Sequence, residues 1–132
     1  MSYLIDTDTI VYSLNNNPVV IEQFRQRRDA PKSLSVITYG ELVFGARKST
    51  FVEKNLGKVR RIAELFPIIQ VTKAIMETFG EMKALLEERG QRHDDMDLLI
   101  ACTAITHNLI LVTNNIKHFD RIEGLEIENW TV

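Results

Sequence analysis

Three carboxylates that are far apart in the sequence are predicted to meet at one edge of a β-sheet. Asp6 directly follows the apolar segment Tyr3–Ile5, which is typical of a short buried strand. Glu41 stands in the first turn of a predicted helix that follows a strand, and Asp97 opens a predicted helix that precedes one. Helices in an α/β layer begin where the preceding strands end, so all three should lie at the carboxyl edge.

This arrangement predicts metal chemistry. Three close negative charges repel one another, and some of them would take up protons unless a cation compensated them. Mg²⁺ is bound by a few carboxylates while it keeps several of its waters. Such an ion activates a water and stabilises charge on a phosphoryl oxygen. The three carboxylates therefore indicate metal-assisted hydrolysis of a phosphodiester.

Each carboxylate also has a purely structural explanation. Thr38 and Glu41 match a capping box, which would account for Glu41 completely. Asp6 and Asp8 lie where the first helix begins and can serve that helix start. Asp97 favours the functional interpretation, because two aspartates just before it are better placed to cap its helix.

Strand and helix patterns alternate along the chain. A helix capped by Thr7 or Asp8 follows the first strand, and Asp94 or Asp95 caps the helix that contains Asp97. The pattern predicts a three-layer α/β/α sandwich around a mostly parallel sheet. The predicted strands are 3–5, 33–37, 68–71, 109–112 and 125–127. The predicted helices cover 19–27, 52–65 and 73–89, and three more follow the Thr7 or Asp8 cap, the Thr38 capping box and the Asp94 or Asp95 cap.

Composition restricts the functional classes. The 132 residues are expected to form one domain across 1–132, and 45% hydrophobic with 26% charged residues is typical of a soluble globular protein. The net charge of −2 argues against a generally basic nucleic-acid binder but leaves room for local basic faces. A lone cysteine, Cys102, fits a reducing compartment, and no membrane or signal segment is apparent. We expect a cytoplasmic protein.

Four segments together resemble a known family. They are YLIDTDTI at the start, ITYGELVFGA around Glu41, DLLIACTAI from Asp97, and LVTNNIKHF from Leu111. In content and order they resemble the PIN-domain ribonucleases, specifically the VapC-type toxins of bacterial and archaeal toxin–antitoxin pairs. The resemblance covers almost the whole chain and implies a parallel sheet between helices.

The resemblance also implies a set of site residues. It implies that Asp6 and Asp97 are ligands of Mg²⁺ or Mn²⁺, and that Glu41 is placed at the same site directly or through water. The fourth position of the family site, commonly acidic or polar, is Asn115 here, and this amide favours one tightly bound ion. Thr113 is expected to support the site by hydrogen bonding, and Asp95 is a substitute acid.

The implied activity is attack of water on an RNA phosphodiester without use of the RNA 2′-hydroxyl. The implied substrate is a tRNA or another structured RNA. A small antitoxin protein is expected to cover the site, and the chain is expected to form a homodimer.

Other polar residues have two interpretations. The cations Arg47, Lys48, Lys54, Lys58 and Arg61 either contact RNA phosphates or belong to a solvated helix face. The three histidines share no metal-ligand spacing and are interpreted as surface or turn residues.

Two other functions remain open. The segment DTDTI also resembles the nucleophile motif of aspartate-dependent phosphatases, although Asp94 and Asp95 precede Thr113, which is the wrong order for that family. A catalytically idle PIN fold that only binds a partner is the other alternative, because Asn115 replaces an acid.

Overall fold

The computed structural model describes residues 1–132 and has a five-stranded parallel sheet at its centre. The strand order is β3-β2-β1-β4-β5, and every neighbouring pair is parallel. In the central strand, Leu4 is paired with Ser33 on one side and with Leu111 on the other. The strands are β1 (Tyr3–Ile5), β2 (Lys32–Ser35), β3 (Ile68–Ile69), β4 (Ile110–Val112) and β5 (Ile127–Glu128).

Helices cover both faces of the sheet, as predicted. Tyr3 and Ile5 of β1 belong to one buried cluster and Leu4 to the other, because successive side chains of a strand point to opposite faces. The first cluster includes residues of α1, α3 and α4, and the second includes residues of α5, α6 and α7. The helices are α1 (Thr7–Leu14), α2 (Pro18–Gln26), α3 (Val36–Arg47), α4 (Val52–Leu65), α5 (Lys73–Glu88), α6 (Asp95–Thr106) and α7 (Ile116–Phe119).

The start of α3 differs from the prediction. We expected a strand through residue 37 and a capping box that begins at Thr38, and both expectations are wrong. Ser35 is the cap, and its hydroxyl oxygen accepts a hydrogen bond from the Ile37 N–H at 3.0 Å. The β-branched Val36 and Ile37 resemble strand residues, but the Ser35 cap starts the helix before them. Glu41 is therefore free of any capping role.

The start of α1 also differs. Asp6 caps this helix, and its carboxylate accepts a hydrogen bond from the Thr7 N–H at 2.8 Å, so the prediction of Thr7 or Asp8 as the cap is wrong. The short helix α7 was not predicted, and the last strand, predicted at 125–127, is β5 at Ile127–Glu128. Four residues of helix and two of strand are too few to show a periodic pattern.

The helix α6 is buried almost throughout, as its apolar sequence predicted. Its Cys102 is fully buried, and burial raises the pKa of this thiol to about 11, which opposes its use as a nucleophile. No helix of the protein combines the length and the apolar character that crossing a membrane requires.

Candidate active site

Asp6 lies at the end of the central strand with its carboxylate almost completely enclosed. Only 5% of the residue is exposed. One carboxylate oxygen accepts the Thr7 N–H, and the other accepts the hydroxyl of Thr113 at 2.8 Å. Thr113 directly follows β4, so the pairing of β1 with β4 brings these two residues together across 107 positions of sequence.

The electrostatic surroundings of Asp6 disfavour its charge. Burial, and then the negative charge of Asp8, raise the pKa of Asp6 from 3.8 to about 7, with a smaller contribution from Asp97. The hydrogen bonds from Thr113 and Thr7 act in the opposite direction but do not compensate. A buried carboxylate with two acidic neighbours is a group that a bound cation would stabilise.

Asp8 belongs to this cluster, and the sequence interpretation gave it only a role at the helix start. Its carboxylate accepts the Asn114 N–H at 3.0 Å and lies 3.4 Å from the Thr113 hydroxyl. The signal for it was present, because a residue two positions after Asp6 in the first turn of a helix remains at the same edge of the sheet.

Asp97 lies in the first turn of α6, as predicted. Asp94 caps this helix by accepting the Asp97 N–H at 3.0 Å. The Asp97 carboxylate is half-buried and lies 3.1 Å from Nδ1 of His118, which belongs to α7. His118 is exposed as expected, but its contact with Asp97 was missed because α7 itself was not predicted.

Glu41 approaches the site from α3. It is exposed, and its carboxylate accepts a hydrogen bond from the hydroxyl of Thr7 at 2.6 Å. Thr7 is the residue that directly follows Asp6. The predicted convergence of Asp6, Glu41 and Asp97 is incomplete, since no group of three or more His, Cys, Asp or Glu side chains is arranged to hold a metal ion. Glu41 is held by Thr7 and Asp97 by His118, so the carboxylates border an open site.

The residues proposed in support take different positions. Thr113 contacts both Asp6 and Asp8, as described. Asn115 is exposed, and only its backbone N–H reaches the cluster, by donation to the Thr113 hydroxyl oxygen at 3.0 Å. Asp95 forms an ion pair with Lys83 at 3.0 Å and is not joined to the other carboxylates.

The donor set fits a hard divalent cation. Mg²⁺ is usually held by one or two carboxylates and completes its octahedral shell with water, so it needs no closed protein cage. Asp6 and Asp97 would supply carboxylate oxygens, and Asp8 would add negative charge beside them. A cation there would offset the burial and the like charges that raise the pKa of Asp6 to about 7.

The predicted RNA-contacting cations are spread over α3 and α4. Lys48 lies over the ring of Phe44 at 5.1 Å, and Lys54 lies over Phe51 at 6.0 Å. Arg47 is exposed. Lys58 lines a depression of about 370 Å³ that also contains Glu41, which places it next to the site.

Comparisons with known proteins identify the family. The family model described as PIN domain matches residues 3–125. The chain is 36% identical over 132 residues to Ribonuclease VapC2 of Rickettsia felis, with 98% of each chain covered. It is 32% identical over 131 residues to the tRNA(fMet)-specific endonuclease VapC of Salmonella typhimurium, again with 98% of each covered.

A solved structure has the same fold. The structure of VapBC2 from Rickettsia felis, bound to a DNA fragment from its promoter, contains a chain that superposes with a TM-score of 0.91 at 35% identity. The match covers 98% of this chain and 99% of that one. The chain therefore belongs to the PIN domain family, among the VapC-type ribonucleases.

Proposed function

We propose that this protein is a metal-dependent endoribonuclease and the toxin of a toxin–antitoxin pair. The observation that carries the proposal is the buried carboxylate of Asp6, whose pKa is raised to about 7 beside Asp8 and Asp97. A group so placed is suited to a divalent cation. The substrate is a tRNA or another structured RNA, in keeping with the name of the Salmonella relative.

Each site residue has a proposed role. Asp6 and Asp97 hold Mg²⁺ or Mn²⁺, which when bound activates a water and stabilises charge on the phosphoryl oxygens. The Thr113 hydroxyl orients the Asp6 carboxylate, and His118 orients Asp97. Glu41, which accepts the Thr7 hydroxyl, acts at the same site directly or through water.

The fourth position of the site remains the amide Asn115, which adds no negative charge. We therefore propose one tightly bound ion, with Asp8 supplying the additional charge near Asp6. Asp95 has no part in this arrangement, because its carboxylate is paired with Lys83.

The proposed assembly follows the same relatives. A small antitoxin covers the active site, and the toxin forms a homodimer in the cytoplasm, with residues 1–132 acting as one domain. The solved neighbour is named as a VapBC2 complex, which supports an antitoxin partner.

The test is cleavage of total tRNA and of a generic single-stranded RNA by the purified protein, with Mg²⁺ and with EDTA. Asp6→Asn and Asp97→Asn should each lower the cleavage rate by at least about 100-fold, because each removes a charged metal ligand. Asp95→Asn is the matched control, since it makes the same change in an aspartate paired with Lys83, and its rate should remain within about twofold of the wild type.

Cleavage that survives in EDTA or in Asp6→Asn would refute the assignment. If neither RNA is cut, calorimetric titration with Mg²⁺ decides between a nuclease with a narrow substrate and a catalytically idle fold. Mg²⁺ binding lost in Asp6→Asn would support a nuclease with a narrow substrate, whereas no Mg²⁺ binding would support the idle PIN fold.

A further inference from the structure

Another depression, polar throughout, lies beside Asp97 and does not include Glu41. It has a volume of about 220 Å³, and none of its lining residues is hydrophobic. Arg92, Lys117 and Arg121 line it together with Asp97. We call this surface the basic depression.

The cations of the basic depression have no partners within the protein. Six ion pairs are formed in the structure, and none of them includes Arg92, Lys117 or Arg121. All three side chains are also exposed. Their positive charge is therefore available to an anion from outside, although the chain as a whole carries a net charge of −2.

The two carboxylates that line the depression are already engaged. Asp94 accepts the N–H of Asp97 as the cap of α6, and Asp97 is bonded to His118. Neither is within ion-pair distance of the three cations. These acids therefore line the basic depression without pairing with its cations.

The walls of the basic depression are tied together. Arg92 lies in the loop before α6, and the other two cations lie in and just after α7. His93 of that loop contacts the backbone carbonyl of His118 through Nε2, and its ring packs near the ring of Phe119, at 6.2 Å between centroids. The two segments that carry the cations are thus held together next to Asp97.

We infer that the basic depression binds a phosphate of the RNA strand next to the phosphate that is cut. This inference rests on the proposed nuclease function and adds a binding site to it. Asp97 borders both the proposed metal site and the basic depression. An RNA strand that binds the metal through one phosphate can therefore place a neighbouring phosphate among the cations. The absence of apolar lining favours a phosphate over a protein segment, because protein interfaces bury aromatic and apolar side chains at their centre.

The test measures binding separately from cleavage. Fluorescence anisotropy in EDTA would measure the binding of a labelled oligouridylate at a series of salt concentrations. Unlabelled total tRNA would then be added to displace it, which measures the binding of tRNA. Arg92→Gln and Arg121→Gln should each weaken binding about fivefold or more at low salt, and each should reduce the slope of log K against log salt by about 0.7. Arg60→Gln is the control with the same charge change, on the exposed surface of α4, and should leave the binding constant and the slope unchanged.

Equal binding by the wild type and both variants, or an equal loss in Arg60→Gln, would overturn the inference. A labelled oligoglutamate peptide is a further probe. If Arg92→Gln and Arg121→Gln lose peptide binding and keep RNA binding, the depression receives an acidic protein segment instead.

Cleavage assays separate this failure from a failure of the proposed function. Metal-dependent cleavage that Asp6→Asn abolishes, with full activity in Arg92→Gln and Arg121→Gln, would retain the nuclease and reject the phosphate site. Absence of both RNA binding and cleavage in the wild type would reject both.

Discussion

At the scale of single residues, the position of Asp6 opposes stability in the absence of a metal. The folded protein places this carboxyl group in a buried pocket with Asp8 nearby, so its folded pKa of about 7 exceeds the ordinary value of 3.8. Between these two values the folded state retains a proton that the unfolded state has released. The stability that this proton supplies is fully present below pH 3.8 and is lost as the pH rises through about 7.

The metal-free protein should therefore become less stable as the pH rises, and Asp6→Asn should remove much of that dependence. An amide at this position has no charge to bury, so above about pH 7.5 the variant should be more stable than the wild type in EDTA, by on the order of 1–4 kcal/mol. Thermal unfolding in EDTA from about pH 5 to about pH 8 measures the effect. Mg²⁺ should then raise the melting temperature of the wild type and leave that of the variant unchanged.

Asp95→Asn is the control for this measurement, because its exposed carboxylate is paired with Lys83 at the surface. It should retain the pH dependence of the wild type. Parallel pH curves for the wild type and Asp6→Asn would contradict the buried charge of Asp6.

The sequence predicted the residues whose position follows from strand ends and helix starts. Asp6 and Asp97 were found in this way, because each borders an apolar segment. Asp8 and His118 were not recognised as site residues, for different reasons. The position of Asp8, two residues after Asp6 in the first turn of a helix, placed it at the same edge, but a role at the helix start was enough to explain it; its contacts with Thr113 and Asn114 become visible only in the fold. His118 depends on the four-residue helix α7, which has no periodic signal.

At the scale of elements, side-chain caps mark the start of five of the seven helices, α1, α2, α3, α5 and α6. The start of α3 shows how a local hydrogen bond overrides the preference of a residue for strand. The two β-branched residues that follow Ser35 nevertheless form the first turn of the helix. Helix α4 has no such conflict, and its predicted bounds, Val52–Leu65, agree with the structure. The predicted helix start was wrong at α3, where a capping side chain competed with the strand propensity of β-branched residues. It was right at α4, where the apolar stripe of the helix was sufficient.

Ser35→Ala should lower the free energy of unfolding by about 1 kcal/mol, because the Ile37 N–H at the start of α3 then loses its acceptor. Urea denaturation measures the change. Ser33→Ala is the matched control, with the same substitution in the same strand, at a half-buried serine whose hydroxyl makes no hydrogen bond in the structure. A loss in Ser33→Ala as large as in Ser35→Ala would show that the cap is not responsible.

At the scale of the whole molecule, the two faces of the sheet have separate buried clusters, and Trp130 completes one of them. It follows the last strand and is only 1% exposed. Its ring lies 5.2 Å from that of Tyr3 and 5.0 Å from that of Phe24, both in edge-to-face contact, and the Arg27 guanidinium lies 5.0 Å from its centroid. The end of the chain is thus packed against its beginning.

Trp130→Ala should destabilise the protein by roughly 3–5 kcal/mol, because it leaves a large cavity between these rings. The midpoint of urea denaturation should fall accordingly. Trp130→Phe keeps an aromatic ring and should lose less stability, and it provides the measurement if the alanine variant does not fold. Val132→Ala, at a residue that is 85% exposed, should have no effect. An unchanged midpoint in Trp130→Ala would show that this contact contributes little.

The pairing of the first strand with the fourth also affects how the protein is made. Tyr3 is paired with Ile110, and the Asp6 carboxylate accepts a hydrogen bond from Thr113, 107 positions later, so the centre of the sheet joins distant parts of the sequence. Contacts between such distant residues form late, because a long loop must close first. A growing chain on the ribosome lacks β4 and the Thr113 hydroxyl until residue 113 has been added. Asp6 therefore waits for more than 100 further residues before its carboxylate is enclosed, and the site cannot be assembled earlier in synthesis.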